Sequence, residues 1–144
     1  MCTALDLIRE KRGTIAALPP SASVFQAAEL MNDRRIGSVL VMVGAHLVGI
    51  FTERDLLRRV VVTDGDPHST TLDEVMTTPI ACAQPHTTLE EMRLVVRNRR
   101  IRHLPVVDAC GHVLGVVSIG DLNRAEHAAQ EQTIHYLERY MSIA

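Results

Sequence analysis

The sequence predicts a mixed α/β (α+β) fold: two pseudo-symmetric β-α-β-β-α motifs packed sheet to sheet, followed by an extra C-terminal helix. Three observations predict it. Continuous aliphatic runs such as Ile36 to Val43 are bounded by turn-forming residues and read as strands buried on both faces. Amphipathic stretches opened by Ser or Thr read as capped helices. The second half of the chain also repeats the first at a nearly constant spacing.

Thr3 to Lys11 is predicted as a short helix with Leu5, Leu7 and Ile8 available to pack. Gly13 to Ala16 is an extended lead-in, stopped by Leu18-Pro19-Pro20. Ser23 caps a helix in which Val24, Ala27, Ala28, Leu30 and Met31 recur with helical period, ending in the polar run Asn32 to Arg35. After the strand Ile36 to Val43, Gly44-Ala45 turns the chain, and His46 to Phe51 returns as a second strand. Thr52 to Asp55 then caps a helix over Leu56 to Val62.

Thr63 to His68, rich in turn-formers, is the one clear linker. Beyond it Thr71 to Met76 is again a short helix and Pro79 to Ala83 a lead-in, and Thr88 and Glu91 stand at capping-box spacing. A strand through Leu104-Pro105-Val106-Val107, an Asp-Ala-Cys-Gly turn and a second strand follow. Ser118 and Asp121 then open a helix beginning at Leu122. Ala125 to Met141 continues as helix, with Ile134, Leu137 and Met141 on one face, and matches nothing in the first half.

Ile15/Ile80, Pro20/Pro85, Val24/Leu89, Arg35/Arg100, Ile36/Ile101 and Val41/Val106 are all separated by 65 residues. One extra residue in the turn makes the separation 66 for Gly49/Gly115, Thr52/Ser118, Asp55/Asp121 and Arg58/Arg124. A single adjustment over the whole alignment indicates duplication: one motif over residues 1–66, its copy over 67–124, and a helical tail over 125–144. A lone unit of about 60 residues buries too little surface to be more than marginal. Two packed copies solve that problem and create two related clefts, each closed by a Thr/Ser-x-x-Asp helix start.

The composition bounds the function. With 47% hydrophobic but only 3% aromatic residues and no Trp, the core must be aliphatic. A net charge of −2, and a basic cluster at 97–102 without interleaved aromatics, argue against nucleic-acid binding. Nearly all the positive charge is arginine, because Lys11 is the only lysine. Cys2, Cys82 and Cys110 form no CxxC pair and leave an odd thiol, which favours a reducing compartment. With no membrane span or signal-peptide core, the expected location is cytoplasmic.

Asp73-Glu74-Val75-Met76-Thr77, Arg102-His103-Leu104-Pro105-Val106-Val107-Asp108, Gly115-Val116-Val117-Ser118-Ile119-Gly120-Asp121-Leu122 and Gly49-Ile50-Phe51-Thr52-Glu53-Arg54-Asp55-Leu56-Leu57 together resemble the tandem cystathionine-β-synthase-type (CBS) domain pair, or Bateman module. The likeness runs from residue 5 to about residue 125 in both copies, with order and spacing intact. It implies a non-catalytic regulatory module, with no catalytic or DNA-binding domain expected here. The implied ligand is adenosine-containing: AMP, ADP, ATP, S-adenosylmethionine or NAD, with energy sensing as one use. No cofactor is required. The resemblance further implies a disc-like homodimer that reports to an unidentified regulated protein.

By that resemblance, Asp121 holds the ribose. An ionised carboxylate accepts hydrogen bonds only, which suits two hydroxyls and not a phosphate. Ser118 can donate to a ribose or phosphate oxygen, and both residues sit where free helix amides favour anionic ligands. Arg102 and His103 occupy family positions that reach phosphate. Gly13, Thr14 and Ile15, from the other copy, complete this main cleft against adenine. The second cleft combines Thr78 and Ile80 with Thr52 and Asp55. There Gly37 and Ser38 replace the two cations, so it is expected to be the weaker polyphosphate site.

Rival readings are weaker. There is no GxSxG, HExxH or P-loop pattern, so no enzyme is expected. His127, Glu131 and His135 lie at i, i+4 and i+8 and read as solvated helix surface, with no metal site expected. The cysteines read as incidental, since nothing cationic is placed to lower either Cys82 or Cys110. The serious alternative is a dimeric protein-interaction adaptor with vestigial clefts and no nucleotide.

Overall fold

Thr3 starts the first helix by reciprocal capping: its hydroxyl accepts from the Asp6 amide, and Asp6 Oδ2 accepts from the Thr3 amide at 2.9 Å. These bonds hold the exposed Asp6 carboxyl below its ordinary range. In the computed structural model, which describes residues 1–11 and 15–141, this helix, α1, spans Ala4–Glu10. Ser23 and Gln26 form the same box at the start of α2 (Val24–Arg34), which buries Val24, Ala27 and Met31. Arg35 ends α2 in left-handed backbone (φ 54°), its amide bonding back to the Met31 and Asn32 carbonyls.

β1 (Ala17–Leu18) pairs in parallel with β2 (Ser38–Val43), and β2 pairs antiparallel with β3 (His46–Thr52), giving sheet order β1-β2-β3. The lead-in strand therefore lies later than predicted, because Ala17-Leu18 is the pair that meets Leu40 and Val41. Val39, Val41 and Phe51 pack with Val24, Ala27, Met31 and Leu72 in an aliphatic core. After α3 (Glu53–Asp55) the chain does not continue as the predicted α-helix. Leu56–Val61 is a π-helix, with the Val62 amide bonded to the Leu57 carbonyl at 3.0 Å. The wider turn buries Val60 and leaves Leu57, Val61 and Val62 exposed.

The second repeat supplies α4 (Leu72–Val75), α5 (Leu89–Arg99), β4 (His103–Val107), β5 (Val113–Ser118) and α6 (Ile119–Met141), with β4 and β5 forming a two-stranded sheet. The predicted lead-in at Pro79 to Ala83 forms no strand; Ala83 alone bridges Val106 in parallel. Proline explains the difference. In the first repeat the Leu40 amide donates to the Ala16 carbonyl at 2.9 Å, and its counterpart at the 65-residue spacing is Pro105, which has no N–H. Of the Thr88/Glu91 box, the Thr88 half forms: its Oγ1 accepts from the Glu91 amide at 3.2 Å. α6 begins at Ile119, earlier than predicted, and runs unbroken into the tail, where Ile134, Leu137 and Met141 are exposed. No described helix is long and apolar enough to cross a membrane.

The compact units interleave the repeats. One comprises Met1–Arg12, Cys82–Ala109 and Leu114–Ala144; the other comprises Gly13–Ala81 and Cys110–Val113. Thus α1 belongs with α5, β4, β5 and α6, while α4 belongs with α2 and the three-stranded sheet. Each repeat lends its opening helix to the other's unit. The joints are backbone bonds: Ala4 N–H to Thr87 O (2.8 Å) and Leu89 N–H to Cys2 O (3.0 Å) in one unit, Val24 N–H to Thr70 O and Leu72 N–H to Ala22 O (both 2.9 Å) in the other.

Two glycines at equivalent positions admit the lent segments. A Cβ on Gly115 would lie 2.6 Å from Ile8 Cδ1, and one on Gly49 would meet the Met76 side chain. Gly115→Ala should destabilise the protein by about 1–3 kcal/mol through overpacking, because β-branched Ile8 has few ways to yield. Gly49→Ala should cost less, since Met76 is flexible. Urea unfolding of the two variants checks the order.

Candidate ligand-binding site

At the end of β3 the chain turns into α3, and Thr52 and Asp55 cap it reciprocally. Asp55 Oδ2 accepts from the Thr52 amide at 3.0 Å and from its hydroxyl at 3.1 Å, while Thr52 Oγ1 accepts from the Asp55 amide at 3.2 Å. Asp55 is only 6% exposed. A buried carboxylate needs further partners, and Thr77 supplies one, its Oγ1 lying 2.9 Å from Oδ1 and 3.1 Å from Oδ2. Thr77 is positioned by β3, exchanging backbone bonds with Ile50 of 2.8 and 3.1 Å. Arg59 Nε stands 3.6 Å from Oδ1 and the same guanidinium donates to the Val75 and Met76 carbonyls.

The β5–α6 junction repeats this plan with different chemistry. Asp121, also 6% exposed, accepts on Oδ2 from the Ser118 amide at 2.8 Å, and Ser118 Oγ accepts from the Asp121 amide at 3.2 Å. Lys11 Nζ donates to the same Oδ2 at 2.9 Å and to the Val116 carbonyl at 2.7 Å. Arg124 pairs with Oδ1. Burial alone pushes the Asp121 carboxyl up, but the Ser118 amide, Lys11 and the Ser118 hydroxyl together outweigh it and hold the carboxyl below its ordinary 3.8.

The sequence-predicted residues gather only in part. The Ile119 amide donates to the Arg102 carbonyl at 2.8 Å, so the Arg102-His103 strand start adjoins the Ser118–Asp121 turn. In the other unit the Glu53 amide donates to the Gly37 carbonyl at 3.1 Å and Ser38 faces Thr52 across the sheet. Gly13 and Thr14 lie outside the described residues. Ile15 is partly exposed beside β1, and Thr78 is exposed one residue beyond the threonine that reaches Asp55, with Ile80 two further on. Thr77 and Lys11 were missed. The signal for Lys11 was present, because a lone lysine among arginines preceded the lead-in. On the tail, His127 Nε2 lies 2.9 Å from Glu131 Oε1, both exposed.

A helix start with a buried acceptor and a flanking cationic strand end can hold a polyol bearing negative charge. The CBS-domain family matches residues 6–62 and 72–128. The chain belongs to that family and carries the domain twice. It is 32% identical over 108 residues to the CBS domain-containing protein YhcV of Bacillus subtilis, covering 75% of this chain and 76% of that one. A signal-transduction protein with CBS domains from Burkholderia ambifaria has a matching solved structure, with TM-score 0.84 and 34% identity over 89% of this chain and 96% of that one. Arabidopsis thaliana CBSCBSPB3 is 32% identical over 122 residues, 85% of this chain, but the chain spans only 22% of that relative's length.

Thr77→Val should cost about 1.5–3 kcal/mol by removing a hydrogen bond to a buried charge. A lowered urea midpoint at unchanged m-value is the measurement. Asp121 binds its proton less tightly folded than unfolded. The stability it contributes is therefore present above its ordinary value and lost as pH falls through its lower folded value. Urea midpoints taken from about pH 6 to about pH 2 should fall less steeply in Asp121→Asn than in the unaltered protein.

Proposed function

We propose that this CBS pair is a non-catalytic regulatory module of the cytoplasm that binds an adenosine-containing ligand, chiefly at Asp121, and reports occupancy through a homodimer to a regulated protein. Tandem CBS modules are typically regulatory and ligand-binding, which supports the general class. A CBS protein of Pyrobaculum aerophilum with the same fold (TM-score 0.74, 24% identity) is complexed with AMP, which supports the ligand chemistry.

The observation that carries the reading is the difference between the two buried carboxylates. Asp121 adjoins a strand start bearing Arg102 and His103, whereas Asp55 adjoins Gly37 and Ser38. In this reading Asp121 takes the ribose hydroxyls, Ser118 and Arg102 with His103 take phosphate, and Gly13, Thr14 and Ile15 meet the adenine. Thr52 and Asp55, with Thr78 and Ile80, form a second and weaker site. The exposed apolar side chains Leu57, Val61 and Val62, with Ile134 and Leu137, offer surface for a second subunit. Competition among AMP, ADP and ATP at one site would make the module an energy sensor.

One observation favours the adaptor reading: both carboxylates already have internal partners. Thermal unfolding with AMP, ADP, ATP, S-adenosylmethionine and NAD separates the two. A ligand at 100 times its Kd stabilises the folded state by about 2.7 kcal/mol, and a raised melting temperature is expected. No shift with any of the five at millimolar concentration decides for the adaptor. Arg102→Ala should weaken AMP and ATP more than adenosine; equal losses remove Arg102 from phosphate binding.

A further inference from the structure

We propose that the turn joining β4 to β5 is a binding site for a divalent, borderline-soft cation of the zinc type, held by Asp108, Cys110 and His112. The site is independent of the adenosine reading. Its donor atoms, a carboxylate oxygen, a thiol sulfur and an imidazole nitrogen, all lie within 4.8 Å of one another. Around zinc, bonds of about 2.0–2.3 Å in a tetrahedral array set neighbouring donors roughly 3.3–3.8 Å apart, so closing onto an ion asks each side chain for a shift of about 1 Å or less. Sulfur and nitrogen donors select zinc over the oxygen-seeking magnesium and calcium ions. Cys110 and His112 are exposed and Asp108 is half-buried, which gives the ion a path in and leaves its fourth position to water.

The backbone makes the cluster. Gly111 takes φ 86°, and a Cβ there would meet nothing within 4 Å, so the glycine serves the left-handed conformation of the turn and not a close contact. The reversal brings Asp108, directly after β4, towards His112, directly before β5, with Cys110 between them in sequence. Turn chemistry accounts for Asp108 and Gly111 but not for Cys110 or His112. The full donor set belongs to the second repeat alone. At the 65-residue spacing Asp108 falls on Val43, at 66 His112 falls on His46, and the extra residue that changes the spacing lies in the turn that holds Cys110. The place also matters. β4 and β5 form a sheet of two strands, against three in the first repeat, and two strands alone are marginal. An ion held from both sides of the turn ties the ends of this smaller sheet together.

The test titrates the whole, reduced protein with cobalt(II), a coloured stand-in for zinc. Binding of one equivalent with a thiolate-to-cobalt charge-transfer band and tetrahedral d–d bands is expected, and zinc should bleach both. Cys110→Ser should abolish the charge-transfer band, and Asp108→Asn and His112→Ala should each weaken binding about tenfold or more. Cys82→Ser should change neither band nor affinity. A second measurement needs no variant: alkylation of the unaltered protein by iodoacetamide, followed residue by residue by mass spectrometry, should slow severalfold at Cys110 when zinc is present and stay unchanged at Cys2 and Cys82. No cobalt binding, binding without the charge-transfer band, or a band that survives Cys110→Ser overturns the site. So does zinc that leaves Cys110 alkylation unchanged, and so does a band lost in Cys82→Ser. Unchanged affinity in Asp108→Asn or in His112→Ala overturns the three-ligand arrangement.

Discussion

Two carboxylates, each buried where a strand turns into a helix, set the requirements that the surrounding residues meet. Burying an ionised group is costly unless it is paired and hydrogen-bonded. Asp55 and Asp121 answer this first by capping their own helices through Thr52 and Ser118, which also satisfies amides that the helix start would leave free. That local arrangement leaves part of each carboxylate unserved. The remainder comes from outside: a threonine hydroxyl for Asp55, a lysine ammonium for Asp121, and an arginine from the following turn for each.

The outside donors arrive because the opening segments are exchanged between repeats. Thr77 follows α4 and serves Asp55 of the first repeat; Lys11 follows α1 and serves Asp121 of the second. Gly49 and Gly115 keep the strand surfaces low enough for Met76 and Ile8 to lie against them. The helical turn after each carboxylate differs in pitch. In the π-helical stretch the arginine four residues on reaches Asp55, whereas in α6 the arginine three residues on reaches Asp121. A duplicated sequence has thus kept its backbone plan while its side-chain contacts diverged.

Much of this was legible in the sequence because the signals were local. Ser23 and Thr52 announced their helices through side chains that bond the first free amides, and the 65-residue spacing exposed the duplication. Ser118 and Asp121 stood out for the same reason. What escaped depended on contacts between distant residues. Pro105 erases a strand pairing only because Leu40, its counterpart, donates there, and a single sequence does not display which amide will be needed. Thr77 is one residue from the predicted Thr78, a shift fixed by pairing with Ile50. The π-helix at Leu56–Val61 has the same apolar pattern as an ordinary helix, so periodicity did not distinguish them.

The exchange of opening segments also bears on inheritance. A gene fragment encoding one repeat would carry a buried carboxylate and its cap but not the hydroxyl or ammonium that completes its shell, since that donor is encoded in the other repeat. Recombination that moved a single copy into a new protein would deliver an acid with an unfilled bonding site in an apolar surround. The transmissible element is therefore the doublet, and selection on either half acts on both.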